Sequence, residues 1–353
     1  MLRLGIYVSR IFLARWAVTA FGMVLLTGLL DSLANASEIS SSGMEGGAMR
    51  YLQLRLPIIF DQVFLFTLAL ALLLTYVSLI RRNELVALQS MGLSVIAQIR
   101  ALAPAVLGVA LFAVYIIDRG VPPSVQALND VGIGEYGGQI FDDGDKLWLN
   151  DKGLFVAIEG RDGLDALTGL TFFQRDGDGH VEGVTWAERA EFRGDHWSLE
   201  GTEALLVEGA GPVQNPLPRW DTEQTPLVID KLAAEPRDLS MKDLRELAAL
   251  RGSGSRPSAA YQVWHLARLS LPFSALALLI ISAPIMQRLG RRDSGTGGLI
   301  IGVGITFLFM IVDGIAKTMG AAGALPVFPA ALFFSVMLAG LGLYIWVRQE
   351  ELG

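Results

Sequence analysis

The chain has 353 residues, of which 52% are hydrophobic and 18% charged, with a formal net charge of −7 and a mean hydropathy of +0.47. That apolarity excludes an ordinary soluble domain and places the chain in the membrane class. The absence of cysteine excludes disulfides, thiol catalysis and Cys-ligated metals.

The charge is unevenly spread. Residues 119–251 hold 13 basic and 25 acidic side chains, a net of −12, while the rest of the chain is net +5. An acidic middle segment argues against nucleic acid, because phosphate binding needs a basic surface. His180, His196 and His265 are far apart in sequence and suggest surface or packing roles rather than a metal site.

A helix needs about 20 mostly apolar residues to cross the hydrocarbon core. Six runs qualify: about 11–31, 57–79, 96–118, 266–286, 298–319 and 327–347. Pro104, Pro272 and Pro284 predict kinks that neighbouring helices tolerate. Arg3, Arg10, Arg15, Arg81, Arg82, Arg100, Arg288, Arg291, Arg292 and Arg348 flank the spans on one side, against mainly Arg50 and Arg55 on the other. The positive-inside rule then makes both termini cytoplasmic and exports the segment of about 120–255. "ANA" at 34–36 resembles a signal-peptidase site, but the long basic lead and Asp31 favour a retained first span.

Between the second and third runs stands "RRNELVALQSMGLS", residues 81–94. It predicts a short helix over about 82–93, capped by Asn83, with Glu84 in the positive first turn and Gly92 at its end. On a helical wheel, Glu84, Leu88 and Met91 share a stripe with Leu85 beside it. One carboxylate heading an apolar stripe suits a groove on another protein. The same residues also allow a turn lying on the bilayer, with Arg81 and Arg82 at phosphate level.

In the exported segment, "KLWLN", "LFVAIEG", "LTGLTFFQR", "HVEGVTWAERAEF" and "HWSLEGTEALLV" alternate with Asp/Gly turns. This pattern predicts an antiparallel sandwich or roll. Trp148, Phe155, Phe172, Trp186, Phe192 and Trp197 would pack its core, or line an open roll that holds acyl chains. "LSMKDLRELAALRGSG" then predicts an amphipathic helix with Ser240 as its cap, Asp243 in its first turn and Gly252 at its end. The expected domains are 1–119 (three spans), 120–238 (β domain), 239–255 (connecting helix) and 256–353 (three spans).

This 3 + 3 arrangement around an inserted β domain resembles the lipopolysaccharide export permeases of the LptF/LptG group. The residues carry the likeness as well as the order. "YVSRIFLARW", "RRNELVALQSMGLS", "LWLNDKGLFVAIEG", "AERAEF", "HWSLEG" and "FLFMIVDGIAKTMGAAGALP" each resemble family segments, the second-span exit and fifth span more the LptG half than the LptF half. The resemblance implies six transmembrane helices with a periplasmic antiparallel β-jellyroll, in the inner membrane of a Gram-negative bacterium. It implies an LptF-type permease as partner, an LptB-type ATPase dimer in the cytosol and an LptC-type bridge protein in the periplasm. It makes residues 82–93 the coupling helix that docks on the ATPase. The chain itself would be non-catalytic and bind no cofactor, with ATP and magnesium used by the partner.

The chain's two nucleotide look-alikes fit poorly. "GIAKT" (314–318) lacks a glycine at Ala316 and lies within a span, and "GIGEYG" (132–137) has no strand–turn–helix context. Ionisable residues in the spans collect near the exported ends: Asp31, Asp61, Asp118 and Asp313, with Lys317 at i+4 from Asp313. A cavity polar at that level would suit a lipid with a charged headgroup. Arg50, Arg55 and Lys317 are the expected phosphate contacts, with Asp61 and Asp313 beside them. Gly298, Gly302 and Thr306, and Ser335 with Ala339, form small-residue rows for helix packing, internal or with a partner. The rivals are a four-span lipoprotein-release type of permease and a membrane-anchored scaffold without cargo.

Overall fold

The computed structural model describes residues 2–43, 46–92, 94–133, 146–151, 153–163, 165–175, 180–206, 217–222, 224–249, 256–289 and 296–350. "GIGEYG", Gly252, Arg291 and Arg292 fall wholly or largely outside these residues, as does the side chain of Arg288. The chain divides into two compact units: residues 1–127 with 263–353, and residues 128–262.

Among the described residues, six helices are long and apolar enough to cross a membrane. They are α1 (Leu2–Ala34), α3 (Gly47–Arg81), α5 (Val95–Val131), α8 (Ser258–Leu289), α9 (Thr296–Ala321) and α10 (Val327–Glu350), three on either side of the sheet in sequence. Two short helices, α2 (Ala36–Ser41) and α4 (Glu84–Ser90), lie in the first two connections. Four of the spans extend well beyond their apolar runs; α5 continues past Asp118 and Arg119, through Pro122 and Pro123, to Val131. Hydropathy marks where apolar surface ends, and the backbone has no reason to stop there. The expected division at 119/120 therefore falls inside a helix, and the compact units meet at 127/128 and 262/263.

Within the first unit, close approach depends on missing side chains. A Cβ at Gly28 of α1 would stand 2.6 Å from Leu52 of α3, one at Gly302 of α9 would stand 2.6 Å from Leu73 of α3, and one at Gly342 of α10 would stand 2.9 Å from the Ile280 carbonyl oxygen of α8. Gly298, Gly302 and Thr306 are buried, and Ser335 shares a hydrogen bond of 2.7 Å with Ser274. The small-residue rows thus serve packing inside this chain at these positions.

The second unit contains a six-stranded antiparallel sheet in the order β1 (Leu147–Asp151), β2 (Leu154–Arg161), β3 (Ala166–Arg175), β4 (Val181–Phe192), β5 (Trp197–Leu206) and β6 (Arg219–Trp220). Each strand pairs with its sequence neighbours, so the turn signals between them set the register. The sheet curls: Trp220 of the last strand donates its indole N–H to Asp151 of the first at 3.0 Å and meets Phe172 of β3 edge-on. Alternation places Leu147, Leu149, Val156, Ile158, Leu170 and Phe172 on the inner face, all buried. Two further helices complete the unit. Helix α6 (Pro226–Ala233) is capped by Thr225 with Pro226 at its first turn, and α7 (Met241–Ala249) is capped by Ser240, whose hydroxyl accepts from the Asp243 amide at 3.1 Å.

Candidate functional site

Two ends of the helical unit concentrate its polar side chains. At the first, α4 sits in the α3–α5 connection. Asn83 enters it with φ of 57°, a left-handed conformation that asparagine tolerates, and its carbonyl accepts from the Ala87 amide at 3.1 Å. Gly92 leaves the helix with φ of 78°, as a C-terminal stop requires.

The expected stripe does not hold together. Leu85 and Leu88 are buried (1% and 8% exposed) in the chain's own bundle, where α4 packs on α3, while Met91 is 68% exposed. The helix ends at Ser90, so a wheel drawn through Met91 assigns it to a face that it does not share. The outward side chains include Val86, Met91 and Arg82. Glu84 is half-buried and accepts from the Tyr7 hydroxyl of α1 through both carboxylate oxygens, at 2.9 and 3.0 Å. Arg82 stands 4.0 Å from the same carboxylate with its own side chain mostly in the open, and Arg81 is exposed beside it. At the same end Gln287 of α8 donates to Gln98 of α5 at 3.1 Å, with both residues buried.

The opposite end carries the aspartates Asp31, Asp61, Asp118 and Asp313. Asp31 of α1 meets Arg55 of α3 through two bonds, Nε to Oδ2 at 2.8 Å and Nη2 to Oδ1 at 2.6 Å, and also accepts from Tyr51 at 2.9 Å. Asn35 donates to the Tyr51 hydroxyl at 3.1 Å. Arg55 is therefore a buried, internally neutralised cation that ties α1 to α3, not the open phosphate contact its sequence position suggested. Lys317 is likewise paired, with Asp313 at 2.6 Å on the same face of α9. Asp313 is buried, and its Oδ1 has no hydrogen-bond partner among the described residues. Asp118 of α5 faces Arg268 of α8 at 3.6 Å. Asp61 is half-buried on α3. Arg50, at the first turn of α3, and Arg119 on α5 are exposed, with no ion pair among the described residues. Tyr7, Tyr51 and Arg268 were not singled out from sequence; a lone tyrosine or arginine gives no signal until its partner from another helix is known.

In the sheet, the six aromatic candidates separate by face. Phe172 and Trp197 are fully buried on the inner side, Trp197 stacking on Trp220 and donating its indole N–H to the Gln224 carbonyl at 2.8 Å. Phe192 packs against Trp197. Trp148 and Trp186 are over 40% exposed on the outer face, where Trp148 stacks on Phe173 and Phe155 lies under the Arg175 guanidinium. The reading of all six as one core or one lining is corrected by the pleat: residues 148 and 186 fall on the parity opposite to residue 172.

Among the described residues, no group of three or more His, Asp or Glu side chains is arranged to hold a metal. The family model described as "Lipopolysaccharide export system permease LptF/LptG" matches residues 6–348. The chain is 23% identical over 356 residues to the lipopolysaccharide export system permease protein LptG of Escherichia coli K12, with 98% of each chain covered. The LptG protein of Escherichia coli O6:H1 strain CFT073 gives the same figures, and that of Haemophilus influenzae is 20% identical over 309 residues, covering 86% of each chain.

Proposed function

The chain belongs to the lipopolysaccharide export system permease LptF/LptG family, and from that premise we propose a division of labour between the two polar ends of its helical unit. It is a multi-pass inner-membrane subunit of a lipopolysaccharide export system. In our reading it takes the lipid from the outer leaflet of that membrane and passes it to a periplasmic bridge. A separate cytosolic ATPase supplies the energy, and the chain performs no catalysis of its own. An LptF-type permease is its partner within the membrane, an LptC-type protein receives the lipid, and an LptB-type ATPase dimer docks at α4.

The arginine distribution supports placing the α4 end in the cytosol and the sheet in the periplasm. The α4 surface offered to the ATPase is Val86 and Met91 with Arg81 and Arg82 beside them, since Leu85 and Leu88 face inward. At the other end, Arg50 and Arg119 are the cations open to a headgroup phosphate. The observation that carries the reading is the family match along almost the whole chain. Depleting the protein in cells tests it: newly made lipopolysaccharide should stop reaching the outer membrane, and delivery at the normal rate would refute the transport reading. Substituting Met91→Asp on the outward face should separately reduce co-purification of the ATPase.

A further inference from the structure

The outer face of the sheet carries an apolar platform. Trp148 of β1 and Trp186 of β4 fall in one cross-strand row. Phe155, Phe173, Val184 and Leu205 form the next row, across β2 to β5. Trp148 reaches diagonally to stack on Phe173, with ring centroids 5.6 Å apart. Both tryptophans and Leu205 are exposed, although buried positions for large apolar side chains exist on the other face of the same strands. Single apolar side chains on a surface are ordinary. Neighbouring ones on one face mark a contact surface, and tryptophan is enriched among the residues that carry binding energy.

The free charge around this platform is of one sign. Glu182, Trp186 and Glu188 share the outer face of β4 by the alternation of the strand, which sets Glu188 about 7 Å along from Trp186. Glu203 of β5 stands directly opposite Trp186 across the ladder. All three glutamates are exposed, with no ion pair among the described residues. The cations on the same face are already engaged: Lys146 pairs with Glu159 at 2.6 Å, and the Arg175 guanidinium lies over the Phe155 ring at 4.1 Å. The Arg175 contact shows this surface receiving a cation on an aromatic ring. Tryptophan is the better ring for that contact, and Trp186 offers it beside unneutralised carboxylates. The charge also selects the occupant. A second copy of the chain would set these glutamates against their own like, and an anionic lipid surface would be repelled. We propose that the outer face of the sheet is a docking surface for a cationic segment of another protein, whose lysine or arginine side chains stack on Trp148 and Trp186 and pair with Glu182, Glu188 and Glu203. The proposal is independent of where α4 docks and of which cation meets a headgroup.

The test uses the full chain in phosphatidylcholine nanodiscs, with octa-arginine as the probe and its Kd as the readout. The double variant Trp148→Ala, Trp186→Ala should weaken binding about tenfold, the scale of two exposed cation–π contacts. The triple variant Glu182→Gln, Glu188→Gln, Glu203→Gln, which touches only exposed side chains, should weaken it about as much and flatten its dependence on salt. Removing the same number of charges elsewhere on the unit, by Asp195→Asn, Asp221→Asn, Glu235→Gln, should change Kd by less than about twofold. Wild-type affinity in the tryptophan variant, or equal losses in the two neutralised proteins, would reduce the binding to general attraction by an acidic unit and overturn the docking surface. A second arm identifies the occupant in cells, with Leu205 replaced by photoreactive benzoylphenylalanine. The expected adduct is a lysine- or arginine-bearing peptide of another protein, and its yield should fall in the triple glutamine variant. An adduct only with phospholipid, only with a second copy of this chain, or none at all would also overturn the proposal.

Discussion

Arg55 is 7% exposed, and its guanidinium meets the Asp31 carboxylate through two bonds whose acceptor also receives the Tyr51 hydroxyl. Taking an arginine out of water is costly, and a planar fork facing a carboxylate is the arrangement that offsets it most completely. Removing one partner leaves the other charge poorly compensated. Arg55→Ala should lower stability by roughly 2–4 kcal/mol, the lower part of the scale for buried pairs because Asp31 keeps some contact with solvent. Exchanging the two residues, Asp31→Arg with Arg55→Asp, should restore most of it. Thermal unfolding of the purified chain in detergent checks both outcomes, and an Arg55→Ala protein that melts with the wild type would show the pair to be dispensable. The sequence placed both residues at one end of their spans but could not pair them. Nothing along the chain connects position 31 to position 55 until α1 and α3 are packed. Asp313 and Lys317 were legible for the opposite reason: a separation of four residues on one helix fixes the neighbour without any tertiary knowledge.

At the scale of elements, two glycines of α10 make a controlled pair. A Cβ on Gly342 would stand 2.9 Å from the Ile280 carbonyl oxygen and 3.0 Å from its carbon, backbone atoms that cannot swing aside; a Cβ on Gly340 meets nothing within 4 Å. Gly342→Ala should push α10 off α8 and destabilise by about 1–3 kcal/mol, whereas Gly340→Ala should be neutral or stabilise by about 0.5–1 kcal/mol through reduced freedom of the unfolded chain. Comparative melting of the two variants reads the difference, and equal effects would contradict the packing described.

Helix α7 gives a second element-level expectation. Burial, the largest influence on Asp243, opposes its ionisation, but hydrogen bonds from Lys231 and Ser240 and the Lys231 charge together hold the carboxyl below its ordinary value. Lys231 belongs to α6 and stands 2.5 Å from Asp243, so the pair fastens α6 to α7. A lowered folded value means that the contribution is fully present above the ordinary carboxylate range, about pH 4, and is lost as pH falls through the lower folded value. Hydrogen exchange in 226–233 and 241–249 should therefore quicken on acidification below about pH 4, and Asp243→Asn should abolish that pH dependence. Five strands and α7 were readable from alternation, turn signals and a serine cap. Helix α6 was missed although Thr225 and Pro226 spell a helix start, because its eight residues are too few for periodicity to stand out. The two-residue β6 has no pattern to read, and only pairing with β5 defines it.

The whole molecule distributes charge by use. The six-span architecture was plain in the sequence because the bilayer imposes a length and a composition on each crossing. Which basic residues remain available to a ligand was not, since that depends on every internal pairing at once. Arg55, Arg268 and Lys317 are each matched to a carboxylate within the helical unit. Arg50 and Arg119 stay exposed, with no ion pair among the described residues. A headgroup phosphate approaching the Asp31 end meets these two without displacing an internal partner, whereas binding at Arg55 would have to compete with Asp31 and Tyr51. The double variant Arg50→Ala, Arg119→Ala should therefore reduce lipopolysaccharide co-purifying per chain by about three- to tenfold, the range for exposed charge-assisted contacts. The loss should shrink as salt is raised, because exposed charges are screened within about 10 Å at 0.1 M. Melting temperature and ATPase association should not move. Unchanged lipid content in that variant, combined with a loss in Lys317→Ala, would transfer the headgroup contact to the paired cation on α9 and require the Asp313–Lys317 bond to open when lipid binds.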